Sequence, residues 1–352
     1  MSYKMVFISL FLVVCFFSYF FYKTQSQAQL ILPQEKFFAS MKQLTFGGQN
    51  AEAYFSFDQK KLIYQSTPDG GGCDQIYTMD LDGSHKKMVS TGLGKTTCSY
   101  FCQSDQKIIY SSTHHLDKKC PAKPDYSQGY VWPLDPFDIF ISNLDGSNLH
   151  QLTSTLGYDA ESTLSPDQKT IVFTSLRNGD LDLYTMDLDG HNVKQLTSEL
   201  GYDGGAFFSQ DGEKIVYRAY HPQSEEEKKE YKNLLSENKI RPMNLQIFVM
   251  NKDGSEKKQI TNLAGSNFAP FFHPDGEKII FSSNHLDPKS RNFDLFIINV
   301  DGTGLTQITF DPSFDSFPIF SQDGETLIFA SNRGGKKRGE TNIFLVKWYK
   351  RG

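Results

Sequence analysis

Two short aspartate-based turns recur along the 352 residues at nearly fixed spacing, and nothing else in the chain constrains its fold as much. A turn of the form Ser-x-Asp-Gly, or a close relative, occurs six times, with its aspartate at Asp58, Asp105, Asp167, Asp211, Asp275 and Asp323. A second turn, Asp-Gly, occurs five times, at Asp82, Asp145, Asp189, Asp253 and Asp301. A β-rich run follows the first turn, as in Lys169-Thr170-Ile171-Val172-Phe173, and another precedes the second, as in Leu183-Tyr184-Thr185-Met186-Asp187. A short strand ending in Leu-Thr or an equivalent pair comes next, then an aromatic-rich strand such as Ala206-Phe207-Phe208. Four strands per unit, a to d from the inside out, repeating at about 40–50 residues, make a propeller blade. Six units predict an all-β fold, a six-bladed β-propeller.

The closure follows from a count. There are six Leu-Thr-type pairs but five Asp-Gly turns, and the pair without a turn is Leu44-Thr45. The last blade ends at Ile343–Trp348 with no fourth strand after it. Residues 38–45 are therefore expected to supply strand d of blade six, which removes an exposed sheet edge. From each Asp-Gly turn to the next Ser-x-Asp turn the distances are 23, 22, 22, 22 and 22 residues. In the other direction they are 24, 40, 22, 42 and 26, so nearly all variation falls between strands b and c. Those loops leave the blades at the same end as the d-to-a loops, and variable loops on one face of a repeat scaffold mark its binding face.

The two large insertions differ in character. Thr113–Phe137 is rich in Pro, Tyr and His and has no helical period, so it is expected as an ordered loop. Pro222–Pro242, in blade four, predicts a helix ending near Asn238. Ser224 is its N-cap, Glu227 the capping-box partner, and Glu225, Glu226 and Glu227 suit the positive end of the dipole. Tyr231, Leu234 and Leu235 form an apolar stripe that packs the helix on the propeller rim.

Ahead of the repeats, residues 1–28 have the shape of a secretory signal: a weakly basic start, an apolar run over Met5–Phe21, and Ser26-Gln27-Ala28 as a cleavage site. An uncleaved anchor is the alternative, and contact with a membrane is expected only in that case. Residues 29–37 are expected as a linker, 38–348 as the propeller and 349–352 as a tail. The protein is expected to be periplasmic or secreted, or membrane-anchored and extracytoplasmic. Loss of Lys4 and Lys23 leaves 34 basic against 41 acidic residues, a net charge of −7. No basic surplus or stripe marks a nucleic-acid binder. Aromatics at 14% suit blade packing and require no cofactor.

The repeats Ser165-Pro166-Asp167, Leu183–Gly190 and Gln195-Leu196-Thr197 resemble the β-propeller repeat of the TolB family. Similar repeats occur in the propellers of prolyl-oligopeptidase-type and tricorn-type peptidases. The resemblance covers residues 38–348, the propeller alone, without the α/β domain that precedes it in TolB. It is specific for the fold and weak for function.

Superposing the six units gives two columns of candidate ligand-binding residues. The first, in the d-to-a loops, is Asn50, Thr97, Asp159, Asp203, Asn267 and Asp315. It would form a polar or cation-binding rim at the channel mouth, or cap tight turns. The second, after strand b, is Pro68, His114, Arg177, His221, His285 and Arg333, with His115 the alternative in blade two. It would hold an anionic ligand, or form salt bridges to the residue that opens strand c: Asp138, Asp182, Asp294 or Asn342. No metal motif appears, so no metal site is expected. Cys102 falls in a core column and is expected as a buried thiol. One disulfide is expected among Cys73, Cys98 and Cys120, with Cys98–Cys120 the favoured pair. The sequence has no Gly-x-Ser-x-Gly elbow and no dense acid/base cluster. The expectation is a non-enzymatic cell-envelope scaffold that binds a protein or peptide on the variable loop face. The alternatives are an enzyme acting on an acidic polysaccharide and an accessory module for an envelope peptidase.

Overall fold

The computed structural model describes residues 30–127 and 129–349. The predicted signal segment, 1–28, lies outside them. Strands alternate buried and exposed residues poorly because inner strands are covered on both sides by neighbouring blades; Tyr202–Phe208, for example, is buried throughout. Six four-stranded antiparallel sheets result, each in the order a-b-c-d. Strand a of blades one to six is Gln49–Phe55, Thr96–Cys102, Asp159–Leu164, Tyr202–Phe208, Asn267–Phe272 and Asp315–Phe320.

Closure occurs as the count requires. Phe38–Gln43 pairs antiparallel with Asn342–Trp348, from Phe38 opposite Trp348 to Gln43 opposite Phe344. Residues 30–37, expected as a linker, pack as a strap along the seam between blades five and six, with Leu30, Ile31 and Phe37 on its apolar cluster. Glu35 is buried there, accepting from Arg333 Nη2 (3.0 Å) and Nη1 (3.3 Å).

The Leu-Thr pairs are now explained. In every blade a hydroxyl that ends strand d accepts from the backbone N–H of the second residue of strand c and donates to the side chain of the first. Thr197 accepts from Leu183 N (2.9 Å) and donates to Asp182 (3.1 Å). Thr153, Thr261 and Thr309 do the same in blades two, four and five, and Ser90 in blade one. Thr45 does so across the closure, to Ile343 N (2.8 Å) and Asn342 (3.2 Å). The Asp-Gly turns seat against the neighbouring blade. A side chain at Gly190 would come within 2.7 Å of the Leu152 carbonyl, and Gly190 has φ +86°, so the position admits glycine alone without strain.

The helix Glu225–Ser236 carries the expected capping box, with Ser224 accepting from Glu227 N and Glu227 accepting from Ser224 N. Tyr231 anchors it, donating to Asp180 (2.5 Å) and the Gly201 carbonyl (2.7 Å). The two insertions also pair with each other, Trp132-Pro133 against Lys239-Ile240. Repeat spacing carries no information about such a contact between insertions. The disulfide expectation needs correction: Cys73 bonds Cys120, tying the b–c loop of blade one to the blade-two insertion, while Cys98 and Cys102 are free. Cys98 lies inside strand a and lines the central chamber.

Deleting the chain through Thr45 removes buried Phe38 and Met41 and one clamp, and should lower the Tm by about 10 °C or more, measured by calorimetry. A melt like that of the intact protein would contradict the closure. Non-reducing peptide mapping should find the Cys73–Cys120 bond, with Cys98 and Cys102 as thiols.

Candidate functional site

The first column does not line the channel mouth. Asp159, Asp203, Asn267 and Asp315 stand at or near the start of strand a and are almost fully buried. Each braces its own blade. Asp159 accepts from Ser175 and from Arg177 Nη2 (3.3 Å), and Asp203 pairs with His221 Nε2 (3.1 Å). Asn267 accepts from Ser283 (2.6 Å), and Asp315 accepts from Arg333 Nη2 (2.6 Å). The two predicted columns are therefore largely one set of pairs. The expected salt bridge from Arg177 and Arg333 to the opening residue of strand c is replaced by one to strand a, because the threonine clamp already occupies that residue. His115, not His114, reaches Asp138 (2.8 Å).

The second-column side chains pack against blade aromatics, the histidine rings at a tilt. His114 packs on Phe140 and His285 on Phe296, each at 4.5 Å between centroids, and Arg177 stacks on Tyr184 at 4.9 Å. Burial lowers the pKa of His114 and His285. Burial also works against charge on His221, but its bond to Asp203 overrides this and raises its pKa. Asp315 is pushed up to about 6 by burial, against the pull of Arg333. No ring of free basic groups forms.

The channel is lined instead by a column that repeat inspection missed. Each strand a carries a bulge, and the residue there adopts positive φ: Glu52, Cys98, Glu161, Gly205, Ala269 and Phe317, all between +50° and +58°. The bulge turns these side chains toward the axis. The signal that could have found them was a glutamate at the matching position of two inner strands, Glu52 and Glu161. Gly205 has a spatial reason as well, since a Cβ there would fall 2.2 Å from the Arg218 guanidinium, which fills the place of the missing side chain. Arg218 donates to Glu161 and to the Tyr202 hydroxyl (2.7 Å), and Tyr202 donates in turn to Glu161 (3.0 Å).

Aromatic side chains narrow both ends of this chamber. On one side Tyr54 and Phe207, from opposite blades, meet at 5.7 Å between centroids, with Tyr100 and Phe271 beside them. On the mouth side the blade-two insertion crosses to the far side of the ring. Its Trp132 covers Arg218 at 5.2 Å, and Arg291 of blade five lies over its Tyr130 at 5.7 Å. About 40 Å³ remains inside, room for a few waters and nothing larger. Burial raises the Glu52 carboxyl to about 7, and it raises the Cys98 thiol beside it well above its usual value. Cys98 is thus held as a neutral thiol, a poor nucleophile. Among the described residues no three His, Cys, Asp or Glu side chains are grouped to hold a metal ion.

The mouth face is chemically different from the chamber. Twelve large apolar side chains are exposed among the described residues. Eight of them belong to b–c or d–a connections: Phe46, Leu93, Leu116, Tyr126, Tyr130, Leu156, Met243 and Leu286. Exposed apolar residues scattered singly are ordinary; these eight share one end of the propeller.

The family model for the TolB beta propeller domain matches residues 134–240 and 239–344. No curated protein matches the chain. A putative TolB from Agrobacterium tumefaciens is 18% identical, with a TM-score of 0.57, over 86% of this chain and 91% of that one. TolB from Acinetobacter baumannii is 19% identical with a TM-score of 0.55, over 87% of this chain and 64% of that one. An oligogalacturonate lyase in complex with manganese is 17% identical with a TM-score of 0.52, over 88% and 80%. At these identities the likeness concerns the fold. No helix of the described residues is long and apolar enough to cross a membrane.

Since Glu52 has a raised pKa in the fold, its neutral form is favoured. Its contribution to stability is complete below the ordinary glutamate pKa and is lost as pH rises through about 7. Glu52→Gln should therefore be more stable than wild type at pH 8, by about 1–3 kcal/mol in denaturant melts, and equal to it below about pH 4.5. A constant difference across that range would contradict this assignment.

Proposed function

Because the chain belongs to the TolB beta propeller domain family, we propose that it is an extracytoplasmic binding scaffold of the cell envelope that docks a protein or peptide on its mouth face. The observation that carries this reading is the gathering of eight exposed apolar side chains on the b–c and d–a connections. Such side chains become the buried anchors of an interface when a partner covers them. The narrow chamber supports it too, because about 40 Å³ leaves no room for a sugar ring. Delivery by residues 1–28 fits the disulfide between Cys73 and Cys120, which persists in an oxidising compartment.

The rival reading is turnover of an acidic polysaccharide, motivated by the lyase among the structural neighbours. Its strongest candidate bases, His221 and His285, lie apart in blades four and five, each held by its own blade.

Replacing exposed Leu116 and Leu286 by Asp should abolish recovery of a stoichiometric partner from envelope extract and leave the Tm unchanged. Recovery at wild-type level would defeat the mouth-face reading. Cleavage of oligogalacturonate by the pure protein, lost on changing His221 or His285, would replace it with the enzymatic one.

A further inference from the structure

Blades three and six lie opposite one another and are the two with arginine in the second column. The seams they make with the preceding blades are built from matching positions. Ile297 and Ile308 of the five–six seam correspond to Ile141 and Leu152 of the two–three seam, and Phe329 corresponds to Phe173. At the five–six seam the chain's own strap covers the outside. Leu30 and Ile31 pack on the apolar cluster, Phe37 stacks on Trp348 at 5.1 Å, and Glu35 reaches Arg333. Arg333 Nη1 takes both the Glu35 carboxylate (3.3 Å) and the Leu30 carbonyl (3.0 Å).

The two–three seam has no strap. Arg177 holds Ser175 through Nε (2.8 Å) and Asp159 through Nη2, in the manner of Arg333 and Asp315. Its Nη1 has no partner among the described residues, and its side chain is 15% exposed against 2% for Arg333. Beneath it the buried Tyr184 hydroxyl is also without a hydrogen bond. Outside lies an open groove of about 590 Å³, with Ile141, Leu152 and Leu188 among its walls and Lys107, Lys169 and Asp189 at its rim. Leu188 stands where Trp348 stands in blade six. Leu152 is half-buried on the groove wall where its counterpart Ile308, beneath the strap, is fully buried.

We propose that the two–three groove docks an extended segment of a partner protein with the chemistry of the strap: two adjacent aliphatic residues followed, four residues on, by a carboxylate. The aliphatic pair lies in the groove on half-buried Leu152, and the carboxylate reaches past the groove's own lining to Arg177 Nη1. A fork nitrogen left over after one carboxylate is bound selects a second carboxylate geometrically. This site is separate from the mouth face, and either can stand without the other.

The probe is a fluorescent synthetic peptide with the sequence of residues 30–38, titrated into the full-length protein, with hydrogen exchange read by mass spectrometry. Saturable binding is expected, with new protection in residues 139–152 and 183–189. Changing the peptide's glutamate, Glu35→Gln, should weaken binding about tenfold, as should Arg177→Lys in the protein. Lysine still neutralises Asp159 but offers no second fork nitrogen, so this variant keeps its fold. Leu188→Lys, at a half-buried position on the groove wall, should weaken binding without touching Arg177. Absence of saturable binding, protection in blades five and six through exchange with the resident strap, or equal affinity for the Arg177→Lys variant would each overturn the proposal.

Discussion

One hydroxyl per blade holds the molecule together. At the end of strand d it accepts the second backbone N–H of strand c and donates to the side chain that opens that strand, from Ser90 in blade one to Thr309 in blade five. Each clamp is worth only about 1–3 kcal/mol, since a hydrogen bond contributes little net and an orphaned buried group costs more. Their importance is positional. Without the clamp, the opening carboxyls Asp182 and Asp294, which burial raises to about 7, would lack their hydroxyl donors. Through Thr45 and Asn342 the same clamp joins the two ends of the propeller, so the unit that repeats is also the unit that closes the ring.

With the outer strands fixed in this way, the inner strands can accept irregularity. All six carry a bulge with positive φ, a conformation that costs energy in residues such as Glu52 and Phe317. The bulges turn side chains into the axis, and the axis is then filled: aromatics from below, Arg218 and Glu161 in the middle, Trp132 above. A propeller channel is often its binding site. Here the insertion that would have framed an opening crosses over it, with Trp132 on Arg218.

The strands, the closure, the helix with its capping box and the identity of the more variable face were all legible in the sequence, because each rests on a local pattern: turn residues, spacing or a capping box. The buried Cys102 was legible from its column. What was not legible depends on contacts distant in sequence. The Asp and basic columns were visible, but Asp159 and Arg177 meet through the register of strands a and b, which periodicity does not state. The Cys73–Cys120 pairing depends on how the insertion folds back over blade one. The bulge column was hidden because five or six ordinary strand residues surround each Glu52-type position, and one extra residue in every blade leaves the repeat length unchanged from blade to blade.

A scaffold of this kind is defined by which of its faces meets a partner. A photo-crosslinking residue placed at Leu286, on the mouth face, or at Leu305, beside the Asp301-Gly302 turn, compares two exposed sites in folded protein directly in cells. A discrete protein adduct from position 286 and none from 305 is the result predicted. An adduct from 305 alone would place the interface at the outer turns and contradict the mouth face as the binding surface.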